Sequence, residues 1–70
     1  MSQLREARVV RRITQFQLRI ATGIHQSKIS MIENGLIEPR EDEKQRLANA
    51  LGVKPEMIWE NETDSEKRNR

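Results

Sequence analysis

Seventy residues, 34% apolar and 34% charged, with a formal net charge of +2, suffice for one small domain with a modest core. The absence of cysteine and the presence of a single histidine exclude disulfides, thiolate metal sites, a cysteine nucleophile and any multi-histidine centre. No stretch approaches the roughly 18 consecutive apolar residues of a membrane span, and MSQLREARVVRRI is too charged to be a signal peptide, so a cytoplasmic setting is expected.

Five helical segments are predicted in chain order, and Val, Ile and Phe show no strand-like alternation, so the fold class is all-α. The first runs from about Ser2, a suitable N-cap, to Arg11, with Leu4, Ala7, Arg8 and Arg11 on its inward stripe. The second opens with a capping box, Thr14 and Gln17. Ile13 and Leu18 are placed for a hydrophobic staple, and Gly23 ends the helix. The third begins one or two residues later, with Ile24 and Ile29 again spaced as a staple, and stops at Asn34-Gly35. So short a link between two capped helices forces a sharp corner, the layout of a helix-turn-helix.

The fourth helix is expected from about Glu41 to Leu51. Its first turn holds Glu41, Asp42 and Glu43, read as a solvated start that suits the helix dipole, and Leu47, Ala48 and Leu51 form its buried stripe. Gly52 stops it, and Pro55 opens a short fifth segment ending near Trp59. These elements place one domain over residues 1–60. Residues 61–70, NETDSEKRNR, lack large apolar groups and are expected to form a disordered charged tail.

Charge is uneven along the chain. Residues 1–40 hold seven basic side chains against three acidic ones, net +4, whereas residues 41–60 hold three against five, net −2. A polyanion would meet the N-terminal part first.

On a helical wheel of the third segment, Ile29, Ile32 and Glu33 share one side, and Ser27, Ser30, Met31 and Asn34 share the other. Gln26 stands at the N-terminal tip. The outward set is slender, polar and free of acids, as a helix entering the DNA major groove requires. Gln26 can bond adenine N6 and N7, Ser27 can donate or accept, and Met31 can lie against a thymine methyl. An ordinary solvated helix face is the plainer reading of the same pattern. Thr14 and Gln15, at the start of the second helix, suit a phosphate, and Asn34 and Arg40 can grip another. Arg12 and Lys28 add positive charge nearby.

Arg8 and Glu33 lie on otherwise apolar faces. An ion pair joining the first and third helices would offset the cost of burying them; alternatively each side chain snorkels to water. At the C-terminal end, Met57 and Trp59 are the first candidates for a symmetric apolar dimer contact, with Val9 and Val10 as the other patch, while Ile58 reads as core.

Several spaced strings give the chain a family likeness: LREAR at 4–8, TQ at 14–15, Leu18, TGI at 22–24, the run from Ser27 to Gly35, Pro39, and LANALGV at 47–53. Across about residues 2–60 it resembles the phage repressor and Cro helix-turn-helix family of Xre-like regulators. The resemblance implies a compact five-helix bundle of the lambda-repressor type and a cytoplasmic, nucleoid-associated DNA-binding regulator. Such a protein would act as a repressor on a partly palindromic operator, as a dimer, with half-sites about 34 Å apart. It implies base reading by Gln26, Ser27 and Met31, with His25 and Lys28 beside them. Phosphate contacts fall on Gln15, Asn34 and Arg40, and a buried pair on Arg8 and Glu33. Double-stranded DNA is the expected partner, with no cofactor, no metal, no small-molecule substrate and no catalytic residue.

Six positions depart from the family pattern. Arg19 replaces a small alanine near the corner, Arg12 a helix-ending glycine, and His25 and Lys54 Ser/Thr caps. Glu43 and Lys44 are polar where many relatives are apolar, which implies a thin core around the fourth helix. The alternative function is protein binding, as an antitoxin or a helix-turn-helix adaptor. An enzyme finds almost no support in this residue set.

Overall fold

The computed structural model describes residues 3–59. They form α1 (Gln3–Val10), α2 (Gln15–Thr22), α3 (Gln26–Glu33) and α4 (Glu41–Leu51), followed by a helical turn over 55–59, with no strand among the described residues. The all-α, five-helix expectation therefore holds. The proposed Ser2 cap and the 61–70 tail lie outside the described residues.

Each helix end has a local cause. The Thr14 hydroxyl accepts from the Gln17 N–H at 3.0 Å while Thr14 N–H donates to Gln17 Oε1 at 2.8 Å, completing the predicted capping box. Gly23, at φ 76°, ends α2 with its N–H on the Arg19 carbonyl at 2.8 Å. The other three helices close with paired bonds of the Schellman type. In α3, Leu36 N–H donates to Met31 O at 2.9 Å and Gly35 N–H to Ile32 O at 3.1 Å. In α1, the bonds run from Ile13 N–H to Arg8 O at 3.1 Å and from Arg12 N–H to Val9 O at 2.9 Å. Arg12 thereby occupies the left-handed position at φ 58°, the only non-glycine among the described residues to do so.

Leu4, Leu18, Ile29 and Leu47 are fully buried, one from each of α1 to α4, so a single core ties the four helices together. Ile24, Ile32, Leu51, Ile58 and Trp59 complete it. Burying each such side chain stabilises the fold by about 1.5–3 kcal/mol. Packing is mainly of α2 against α3 and α4, and of α1 against α3.

The sequence expectations need correction at four places. Arg11 is exposed rather than on the inward stripe, because α1 gives way after Val10; its guanidinium donates to the Ala7 carbonyl at 2.9 Å. Trp59, expected at a dimer contact, is 8% exposed and belongs to the core. Its ring lies 5.8 Å from the Lys44 ammonium, and the side chain of Lys44 is itself largely covered. Glu43 does not belong to a solvated helix start: it is 3% exposed. The core beside α4 is thus covered by the stem of Lys44 and closed by a buried carboxylate, rather than thin.

Candidate nucleic-acid interface

The corner between α2 and α3 is held by Thr22, a buried residue whose hydroxyl serves both sides of the turn. It donates to Leu18 O at 2.7 Å and accepts from Ile24 N–H at 3.1 Å, so the amide just past Gly23 is paired. Arg46 of α4 donates to the Thr22 carbonyl at 2.8 Å and to Asp42 at 3.0 Å, bracing the corner from behind. The Arg19 guanidinium turns outward over the Phe16 ring, 4.9 Å from its centre.

On α3, Ile29, Ile32 and Glu33 are buried, whereas Gln26, Ser27, Met31 and Asn34 are exposed. Ser30, at the edge of the outward set, is half-buried. The wheel division thus matches the burial pattern. His25 caps the helix in place of Ser or Thr: its Nδ1 accepts from Ser27 N–H at 3.2 Å and lies 2.9 Å from Ser27 Oγ. The Ser27 hydroxyl is thus engaged with the cap of its own helix while the side chain remains exposed.

Two carboxylates anchor α3. Glu33 receives Arg8 in a fork, Nε to Oε2 at 2.6 Å and Nη2 to Oε1 at 3.1 Å, while Arg8 Nη1 donates to the Ile13 carbonyl at 2.9 Å. The ion-pair reading is therefore the observed one, and snorkelling is not. Gln15 joins the pair through Nε2 on Glu33 Oε1 at 3.0 Å. That commits one of its two amide donors to the buried pair.

The second carboxylate is Glu43. Its Oε2 accepts from Lys28 Nζ at 2.7 Å and its Oε1 from the backbone N–H of Arg40 at 2.8 Å; Arg40 Nη2 lies 3.6 Å away. The Lys28 ammonium, with the Arg40 N–H, holds the Glu43 carboxyl below its usual range although burial pushes the other way. Lys28, placed beside the base readers by resemblance, is thus drawn toward the start of α4. Pattern reading missed the role of Glu43 because an acid at the third position of a helix is ordinary; the signals available were its reach back to the N-cap backbone and its place at a position where many relatives are apolar.

Around α3 the remaining candidates are accessible. Arg40 is exposed and also approaches Asp42 at 3.3 Å. Arg12 and Thr14 line an open cleft that runs between the end of α1 and the start of α2 and reaches Gln26. Of the positions named for phosphate contact, Arg12, Thr14 and Gln15 share this cleft with Gln26, Asn34 caps the end of α3 and Arg40 the start of α4. Met57 is 66% exposed, and Val9 and Val10 are also exposed. No helix among the described residues is long and apolar enough to cross a membrane.

A family model described as a helix-turn-helix domain matches residues 2–59. No curated protein and no solved structure matched the chain. With a capped corner at Gly23, an exposed second helix and a family match spanning every described element, the chain belongs to the helix-turn-helix domain family.

Proposed function

We propose that the chain is a sequence-selective, DNA-binding transcriptional regulator of the phage repressor and Cro type, acting as a repressor on a partly palindromic operator. The observation that carries this reading is the division of α3: its apolar side and Glu33 are buried, and Gln26, Ser27 and Met31 stand outward on a slender, acid-free edge. Gln26 and Met31 read base edges, Ser27 accepts or donates beside them, and His25 caps the helix that carries them. Thr14, Gln15, Arg12, Asn34 and Arg40 set its register through phosphates. Of the surfaces named for a dimer contact, Met57 and the Val9–Val10 patch are exposed, whereas Trp59 is enclosed within one copy.

The alternative, a module whose main partner is another protein, is not favoured by membership of a family of DNA-binding type. Selection of duplexes from a random pool, followed by the mass of the complex, tests the proposal. Enrichment of one two-fold symmetric site bound by two chains is expected. Binding without enrichment, or no binding in dilute buffer, overturns it.

A further inference from the structure

Lys28 sits on the flank of α3 between its buried and outward sides. A lysine there would ordinarily reach toward DNA, where its flexible point charge meets any phosphate or guanine. Here its ammonium lies 2.7 Å from Glu43 Oε2. The two ends of this pair differ in exposure: the side chain of Lys28 is 35% exposed and that of Glu43 4%. Glu43 cannot follow Lys28 into solvent, because its other oxygen is held by the Arg40 backbone N–H at 2.8 Å. Arg40 cannot replace Lys28 without moving, since its nearest approach to Glu43 Oε2 is 3.6 Å and it is shared with Asp42. Releasing Lys28 would leave a buried carboxylate oxygen with only the Arg40 guanidinium, 3.6 Å away, in place of its hydrogen-bonded ammonium, the costly direction for such a pair.

We propose that Glu43 is a specificity-determining positioning residue: it withdraws Lys28 from the groove, so that the edge formed by Gln26, Ser27 and Met31 meets DNA without a lysine of its own. This rests on the DNA-binding reading above. The consequence is selective. A free cation on the reading helix strengthens binding to every sequence alike, through counterion release, and dilutes discrimination by amide and hydroxyl groups. Held by Glu43, Lys28 instead links α3 to the start of α4.

The test is a salt titration of binding to a random-sequence duplex, using the full chain, its K28M and E43Q variants and the double variant. The double variant leaves neither charge in place and so decides the matter even if a single variant fails to fold. The K28M and double variants are expected to keep the wild-type log–log slope. E43Q is expected to steepen it by about one, as Lys28 becomes free to meet a phosphate, and to lower the ratio of specific to random-sequence affinity. A slope shallower by about one in K28M or in the double variant overturns the proposal, as does an unchanged slope in a folded E43Q. Failure of the wild-type chain to bind any duplex overturns the DNA-binding reading itself, and is distinct from these outcomes.

Discussion

Arg8 and Glu33, 25 positions apart in sequence, meet with Nε and Oε2 at 2.6 Å, and α1 is thereby fixed against the far end of the helix proposed to read DNA. Both side chains are largely enclosed, at 12% and 3% exposure, so neither charge can be removed alone without stranding the other. Arg8→Met and Glu33→Ala are each expected to destabilise the fold by about 3 kcal/mol. The double variant should lose less than the sum, as groups sharing one network do. Urea unfolding of the four proteins checks this, and strict additivity would show that the pair contributes nothing of its own.

Arg12 holds the place that glycine takes at the ends of α3 and α4, with φ 58° against 75° at Gly35 and 74° at Gly52. A side chain there costs about 1 kcal/mol relative to glycine. Arg12→Gly is therefore expected to raise stability by up to about 1 kcal/mol. If Arg12 grips a phosphate, the same variant should bind all duplexes more weakly and show a salt slope shallower by about one. A variant that is both more stable and unchanged in DNA binding would remove Arg12 from the phosphate set.

The Lys28–Glu43 pair should be visible in acid. Glu43 is held below the ordinary glutamate value of 4.5 by Lys28 and the Arg40 N–H, so the folded chain releases this proton more readily than the unfolded one. Its contribution is complete above that ordinary value and is lost as pH falls through the depressed one. The urea midpoint of the wild type should decline on acidification, and E43Q should show a smaller decline. Parallel declines in the two proteins would exclude Glu43 as a source of the acid loss.

Gln26 stands exposed at the tip of α3, next to the cleft that holds Arg12 and Thr14. Gln26→Ala is expected to cost about 1–3 kcal/mol of discrimination at one base pair while leaving random-sequence affinity nearly intact. Competition assays with singly substituted operators check it. An unchanged base preference would mean that Gln26 does not read DNA.

Local chemistry determined much of this protein from its sequence alone. Thr14, Gln17 and Gly23 bound α2 whatever surrounds them, because capping depends on residues three to five positions apart. The spacing of Ile29 and Ile32 likewise fixed which side of α3 is buried, since helical periodicity needs no neighbour. Tertiary structure decided the charges. Whether Arg8 and Glu33 pair or reach for water, and whether Glu43 is solvated or enclosed, depends on groups 25 and 15 residues away that no local pattern ranks. It also decided Trp59, which a symmetric interface and the core of one copy would suit equally well. Apolar area is non-directional, so the sequence states only that such a side chain leaves water; the packing of α1, α4 and the last turn states where it goes.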